Sequence, residues 1–301
     1  MAASTISADN RLVVIQRNPC SGSGAGRKEL LVLIRALKQA GYSVRMFRSR
    51  SKLDTFLSID HHKQSLRCIV AAGGDGTVSD IVNRHPGRPI AVLPLGTENL
   101  LAKYLRITRC GRTLAGVIHS GRTQMFDSAT ANGRRFLLML SAGVDGDIVH
   151  GIHQARTGTI RKINYVVPTL RAFFLSPPRL IRAFESNDEN AATGTHVIVT
   201  NIPRYGFGLK FAPESLPDDG LLNVRVFHGI TRWQICWHAI RLKLGLWIHQ
   251  DECTKFTATH VTVDCVDSAR LSGVQMDGDP CSPLPVHVQI EPGSLCLLVR
   301  S

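Results

Sequence analysis

The first part of the chain alternates short apolar runs with segments that carry apolar residues at helical spacing. The apolar runs predict strands at 12–16, 42–47, 68–72 and 89–95. The segments with helical spacing predict helices at 28–40, 78–83 and 97–104. Strands of this length that alternate with helices are typical of a parallel sheet with helices on both faces.

The pattern changes near residue 124, where short alternating runs separated by turn residues begin. Such runs predict strands at 136–140, 196–200, 222–227, 261–266, 286–290 and 294–299. Helical segments interrupt them at 160–184 and 233–248. This pattern predicts an antiparallel β-sandwich. We therefore predict two domains in the 301 residues, an N-terminal open α/β domain at 1–123 and a C-terminal antiparallel β-sandwich domain at 124–301.

A glycine-rich string, GGDGT at 73–77, connects a predicted strand to a predicted helix. Its glycines allow the backbone to approach phosphate oxygens. The positive end of the dipole of the helix that follows also attracts phosphate. Asp75 is acidic and would hold Mg²⁺ or orient a hydroxyl; a tight turn capped by Asp75 is the alternative. Two more loops, 18–24 and 94–99, follow strands in the same way. Because ligands bind beyond the carboxyl ends of parallel strands, the three loops predict one nucleotide-binding site.

The formal charge of +13 favours anionic partners such as nucleotides, nucleic acids or anionic lipid headgroups. The chain has neither zinc-finger spacing nor an RNP-type aromatic strand, so we expect no nucleic-acid partner. Residues 156–182 combine basic, apolar and aromatic side chains, which suits a membrane interface; a core helix with solvated arginines is the alternative.

Eight cysteines form no CxxC pair, and no apolar run reaches the roughly 18 residues of a membrane span. Reduced thiols and the lack of a leader-like start indicate a cytoplasmic protein, which we expect to associate peripherally with the membrane. The oligomeric state stays open, with a homodimer among the alternatives.

Six motifs occur in an order that resembles the diacylglycerol kinase catalytic-domain superfamily. They are NPxSGxG from Asn18, GGDGT from Gly73, PLGTxN from Pro94, SAGVDG from Ser141, AP…LPDDGLL from Ala212 and DGDP from Asp277. The superfamily includes bacterial diacylglycerol kinases, sphingosine kinases and ceramide kinases. The resemblance spans about 12–299, nearly the whole chain.

The resemblance implies an ATP-dependent lipid kinase that transfers the γ-phosphate to a lipid hydroxyl, with diacylglycerol or a similar lipid alcohol as the acceptor. The residues it implies for ATP contact are Asn18, Ser49, Gly73, Gly74, Asp75, Gly76, Thr77, Val78, Ser79 and Thr97. It also implies a structural Mg²⁺ at Leu216, Asp219 and Leu221, besides the Mg²⁺ that accompanies ATP. Asp279 stands where the family has its catalytic base, and Asp75 is a second catalytic candidate.

Two departures from the family pattern keep other functions open. Asp279 replaces a glutamate, and Leu100 stands where bacterial diacylglycerol kinases commonly have an aspartate, which leaves the lipid open. Asp127 is either a third carboxylate of the site or a turn cap. The alternatives are an NAD kinase, which shares GGDGT, and a non-catalytic lipid or nucleotide sensor. The DDGLL, DGDP and NPxSG strings favour the lipid kinase.

Overall fold

The computed structural model describes residues 4–7, 9–19, 24–154, 179–185, 191–229, 232–246, 252–266 and 273–300. It divides into two compact units, the first made of Met1–Phe126 with Gly293–Ser301 and the second of Asp127–Pro292. The predicted domain limits, 1–123 and 124–301, stay a prediction. The units differ from them in two respects: the first unit extends to Phe126, and it also includes the last residues of the chain.

The first unit is an open α/β structure. Its strands are β1 (Ser4–Thr5), β2 (Leu12–Arg17), β3 (Ser43–Phe47), β4 (Leu66–Gly73) and β5 (Ile90–Pro94). Its helices are α1 (Gly24–Gln39), α2 (Arg50–Ser58), α3 (Asp60–Gln64), α4 (Asp75–Arg84), α5 (Leu100–Tyr104) and α6 (Gly111–Ser120). The strands β5, β4, β2 and β3 pair in that order, all parallel. All eight residues of β4 are buried, as expected for a central strand covered on both faces.

The second unit is a β-sandwich, as the sequence predicts. Its elements are the end of β6 (Arg122–Ala131), β7 (Arg134–Phe136), β8 (Met139–Ala142), α7 (Val144–Gln154), β9 (Ile181–Phe184), β10 (Ala192–Gly194), β11 (His196–Thr200), β12 (Arg204–Tyr205), β13 (Leu209–Lys210), β14 (Leu222–Phe227), α8 (Arg232–Lys243), β15 (Cys253–Ala258), β16 (His260–Cys265), β17 (Val274–Met276), β18 (Asp279–Pro280) and most of β19 (Val286–Leu298).

Two antiparallel sheets form this sandwich. One has the order β15-β14-β11-β8-β17-β18, and the other includes β10-β9-β16-β19. Apolar side chains from both sheets form one core, for example Leu140 and Val224 from the first and Val263 and Val288 from the second. The alternation of apolar and polar residues along these strands therefore buries one face of each sheet. None of the helices among the described residues combines the length and apolar character that crossing a bilayer requires.

Several predicted elements have different bounds. The strand predicted at 136–140 is two strands, β7 and β8, because the backbone N–H groups between them bond to Asp277 instead of a neighbouring strand. The strands predicted at 286–290 and 294–299 are one continuous strand, β19. Gly293 has a φ of 60° inside it, a conformation that glycine adopts at a bulge without steric cost.

The helix predicted at 160–184 is wrong at its end, where 181–184 form strand β9. Ile181 and Ala183 are fully buried while their neighbours are partly exposed, which is the period of two that a strand requires. Residues 155–178 lie outside the described residues. The helix predicted at 97–104 begins only at Leu100, because Asn99 has a φ of 50° and cannot be a helical residue.

Candidate active site

The GGDGT string forms the junction between β4 and α4. Gly73 ends the strand, Gly74 precedes the helix and Asp75 is its first residue. A Cβ on Gly73 would lie 2.1 Å from the Oγ1 atom of Thr77, so the turn accommodates glycine alone. The first N–H groups of α4 have no partner within the helix and make its start a positive end.

A second loop, between β5 and α5, lies against this junction. The backbone N–H groups of Leu95 and Gly96 donate to the carbonyl of Gly73 at 2.8 and 3.2 Å. A Cβ on Gly96 would lie 2.5 Å from the Cα of Gly74. Glycine at 96 is therefore required by the approach of the two backbones, whereas a Cβ on Gly74 would make a tight contact of 3.2 Å with the Cα of Gly96.

Asp75 joins the same two loops through its side chain. Its carboxylate accepts hydrogen bonds from the backbone N–H groups of Leu100 at 2.9 Å and Leu101 at 3.1 Å, and so caps α5. Burial raises the pKa of Asp75, and the two hydrogen bonds partly oppose this shift. The sequence left a capping role for Asp75 as an alternative. Asp75 does act as a cap, but of α5 and not of its own helix α4.

A cavity of about 260 Å³ lies at the start of α4, beyond the carboxyl ends of β2 and β3. The residues that line it are Gln16, Arg17, Asn18, Pro19, Arg48, Arg50, Gly76, Thr77 and Asp80. The Asn18 amide lies 3.5 Å from the Oγ1 atom of Thr77, so the first and second predicted loops meet here. Three arginines beside a helix N-terminus make this cavity suited to phosphate groups.

The three arginines, Arg17, Arg48 and Arg50, were not among the residues predicted from the sequence. Arg17 is the last residue of β2, and Arg48 follows β3 directly. Their positions at the carboxyl ends of parallel strands are the signal that could have identified them. Arg50 is held by an ion pair with Asp80 at 3.1 Å, and Asp80 also pairs with Arg84 at 2.7 Å.

The other predicted ATP contacts are not among the described residues that line the cavity. Ser49 is the N-cap of α2, and its hydroxyl accepts a hydrogen bond from the Lys52 N–H at 3.4 Å. The side chains of Val78 and Ser79 are buried in α4. Thr97 is exposed on the loop before α5. The structure thus brings Asn18, Gly76 and Thr77 together at the cavity.

The DGDP string of the second unit forms the turn between β17 and β18. Asp277, with a φ of 53°, accepts hydrogen bonds from the backbone N–H groups of Leu137, Leu138 and Met139 at 2.8 to 3.1 Å. Asp279 is the first residue of β18 and is half-buried. Among the described residues, the Asp279 side chain makes no hydrogen bond or ion pair.

A buried network of polar side chains stabilises this turn. The Gln275 side chain accepts a hydrogen bond from the Gly278 N–H at 2.8 Å and donates one to the Ser141 hydroxyl at 2.6 Å. Asp145, which the SAGVDG string contains, accepts hydrogen bonds from the hydroxyls of Ser141 and Tyr205. Burial and the neighbouring Asp145 charge raise the pKa of Tyr205 well above its usual value. Sequence reasoning missed Tyr205 and Gln275, which belong to no motif.

The predicted metal ligands Leu216, Asp219 and Leu221 lie on the turn before β14. Asp219 is exposed, and its Oδ1 atom accepts a hydrogen bond from the Leu221 N–H at 2.9 Å. The buried Asp127 accepts one from the Gly220 N–H at 2.8 Å and thereby fixes the same turn. Asp127 therefore has the role of a turn cap. The part of the chain that the structure describes contains no cluster of three or more His, Cys, Asp or Glu side chains that could hold a metal ion.

Two family models match the chain in sequence. Residues 11–131 match the diacylglycerol kinase catalytic domain, and residues 139–299 match the YegS C-terminal NAD kinase β-sandwich-like domain. Together they account for most of both units.

Individual proteins with similar sequences are bacterial lipid kinases. A diacylglycerol kinase of Mycobacterium tuberculosis is 25% identical over 290 residues, which is 93% of each chain. A Klebsiella pneumoniae protein named "Probable lipid kinase YegS-like" is 27% identical over 219 residues, 69% of this chain and 72% of the relative. The crystal structure of a diacylglycerol kinase from Bacillus anthracis has the same fold, with a TM-score of 0.70 and 18% identity over 98% of both chains.

Proposed function

This chain belongs to the lipid kinase family that joins a diacylglycerol kinase catalytic domain to a YegS-type β-sandwich domain, and we propose that it transfers the γ-phosphate of ATP to the hydroxyl of diacylglycerol or a similar lipid alcohol. The observation that carries this proposal is the arginine-lined cavity at the start of α4. It combines phosphate-binding chemistry with the glycine loop of a lipid kinase domain.

Phosphoryl transfer requires positioning and charge neutralisation more than covalent catalysis. The side chains of Arg17, Arg48 and Arg50 supply positive charge at the cavity, and the first N–H groups of α4 add backbone donors. Hydrogen bonds between guanidinium and phosphate oxygens are charge-assisted and bidentate, which fixes orientation as well as affinity. We assign the ATP phosphates to this cavity, with Asn18, Gly76 and Thr77 beside them.

The acceptor hydroxyl must lose a proton during transfer, and a free carboxylate is suited to take it. In the second unit, Asp277 accepts hydrogen bonds from three backbone N–H groups, whereas the Asp279 side chain makes no hydrogen bond or ion pair with the described residues. We therefore propose Asp279 as the general base. The network through Gln275 and Ser141 holds the backbone at Gly278, next to this base.

Kinases of this family use a divalent cation, and we propose Mg²⁺ both with ATP and at the turn before β14. The donor set at that turn fits a hard cation, because it offers a carboxylate oxygen of Asp219 and the carbonyl oxygens of Leu216 and Leu221. The Oδ2 atom of Asp219 makes no hydrogen bond with the described residues. When bound with ATP, Mg²⁺ neutralises the charge on phosphate oxygens.

The activity is tested by incubating the protein with radiolabelled ATP and mixed micelles of diacylglycerol, monoacylglycerol, phosphatidylglycerol, ceramide or sphingosine. We expect Mg²⁺-dependent label in diacylglycerol or a similar lipid alcohol. Label in NAD and in no lipid would select the NAD kinase alternative. ATP binding without turnover of any acceptor would select the non-catalytic sensor.

A further inference from the structure

Helix α8 carries apolar side chains that the described residues of the second unit leave exposed. Four side chains on it, or directly after it, are between 50% and 74% exposed: Trp233, Trp237, Ile240 and Leu244. We call these four residues the apolar stripe. Large exposed apolar side chains that are contiguous mark an interaction site more often than scattered ones do.

The stripe is confined to one side of the helix. Successive helical residues are about 100° apart around the axis, so the four side chains of the stripe fall within about 60° of one another. Arg241 and Lys243 lie on either side of the stripe by the same geometry. The result is a narrow apolar face with a basic residue along each edge.

The opposite side of α8 is fixed to the sandwich. His238 and Leu242, one turn apart, are 4% and 8% exposed. Leu242 packs with Phe211, Phe227 and Cys253 in a satellite core. The helix ends in a Schellman motif at Gly245, where the N–H of Leu246 donates to the carbonyl of Arg241 at 2.9 Å. Helix α8 therefore presents the stripe from a defined position, and the exposure is not that of a frayed end.

We propose that the apolar stripe of α8 is the surface by which the protein docks on an anionic lipid bilayer. Tryptophan side chains prefer the boundary between headgroups and acyl chains, and basic residues beside them are attracted to anionic headgroups. The formal charge of +13 also attracts the protein to an anionic bilayer from a greater distance. The sequence predicted a different docking surface, at 156–182. Residues 155–178 lie outside the described residues. Arg179 and Arg182 form ion pairs with Asp147 and Asp264.

A second copy of the chain fits the stripe less well than a bilayer. A symmetric contact places the same patch of both copies face to face. It would bring the basic side chains at the edges of one stripe towards those of the other, between two chains that each carry a formal charge of +13. The charge at the edges of the stripe is therefore complementary to anionic headgroups and not to itself.

This proposal rests on the proposed function, because a lipid kinase needs a bilayer surface to reach an acceptor that resides in the bilayer. The test compares the wild-type protein with Trp233→Gln/Trp237→Gln in sedimentation with vesicles of phosphatidylglycerol and phosphatidylcholine, without ATP. A matched control, Leu31→Gln/Ile59→Gln, removes two exposed apolar side chains of the first unit. We expect the α8 variant to bind about tenfold or more weakly and the control to bind like the wild type.

The test is completed by measurements of salt and lipid dependence, of oligomeric state and of turnover of a soluble substrate. Wild-type binding should weaken as salt increases and be low on pure phosphatidylcholine. Unchanged vesicle binding by the α8 variant overturns the proposal, and so does a wild-type dimer in light scattering that the α8 variant dissociates. Turnover of a short-chain diacylglycerol below its micelle concentration should be equal in wild type and variant. No turnover in either, with α8-dependent vesicle binding, would overturn the proposed function and leave the docking surface standing.

Discussion

The GGDGT loop of the first unit and the DGDP turn of the second unit use their acidic residues in different ways. In each, one carboxylate binds backbone N–H groups of a neighbouring segment: Asp75 caps α5, and Asp277 holds the link between β7 and β8. The DGDP turn has a second carboxylate, Asp279, whose side chain makes no hydrogen bond or ion pair with the described residues. The side chains that carry charge at the cavity beside GGDGT are arginines and Asp80.

An acidic residue in a motif can therefore stabilise the scaffold or take part in the chemistry, and its hydrogen bonds distinguish the two roles. A carboxylate that already accepts two or three backbone hydrogen bonds is poorly placed to accept a substrate proton as well. Asp75 is therefore a positioning residue in our interpretation, and Asp279 the stronger candidate for catalysis. Asp75 as a catalytic residue stays a prediction that the variants below can examine.

The largest effect is expected from Asp279→Asn, which retains the size of the side chain and removes the base. Turnover of lipid should fall by about 10²- to 10⁴-fold, while calorimetric ATP binding stays close to wild type. Asp279→Glu should retain activity, because it keeps a carboxylate at this position and is the residue of the family pattern. Wild-type turnover by Asp279→Asn would mean that the base lies elsewhere, and Asp75 would be examined next.

The next largest effect is expected from the arginines of the cavity. Arg17→Gln and Arg48→Gln each remove a charge-assisted donor, and we expect ATP to bind about 10- to 100-fold more weakly in calorimetry. Arg45→Gln is the matched control, since Arg45 is exposed on β3 and does not line the cavity. Equal ATP affinity in all three variants would move the phosphate site away from this cavity.

A smaller effect, on stability, is expected from the two scaffold carboxylates. Asp277→Ala leaves three backbone N–H groups without their acceptor and should cost about 1–3 kcal/mol of unfolding free energy. Asp75→Ala removes a helix cap and should cost about 0.5–2 kcal/mol. Urea titration measures both, with the exposed Asp9→Ala as a control that should change little. A neutral Asp277→Ala would contradict its scaffold role.

The smallest effect concerns pH. Burial raises the pKa of Asp75 above its ordinary value of 3.8, so the folded state binds the proton more tightly than the unfolded state. The stability from this group is fully present below the unfolded pKa and is lost as pH rises through the folded pKa. Between about pH 7 and pH 4.5, the unfolding free energy of wild type relative to Asp75→Asn should therefore increase as pH falls. A difference that is independent of pH would show that Asp75 is not buried as the structure has it.

The sequence predicted the class of both units because that information is local. Hydrophobic periodicity distinguishes β4 and α1 from their neighbours, and the glycines of 73–77 indicate a tight turn wherever the turn lies in space. The elements predicted where β7, β8 and β9 lie were wrong in their limits. Hydrogen bonds to Asp277 and pairing with β16 override the local pattern there. Those partners lie about 80 to 140 residues away in the chain.

Local patterns in the amino-acid sequence were enough to predict the alternating first half, the β-rich second half, the glycine loops and the family to which the chain belongs. Only the fold brings Arg17, Arg48 and Arg50 to one cavity and gives Asp75 and Asp277 their backbone hydrogen bonds. The fold also leaves the Asp279 side chain without a hydrogen bond or ion pair to the described residues, and leaves the tryptophans of α8 exposed. The physical reason is that a side chain's partners depend on strand order and packing, which place distant segments side by side and which no local pattern specifies.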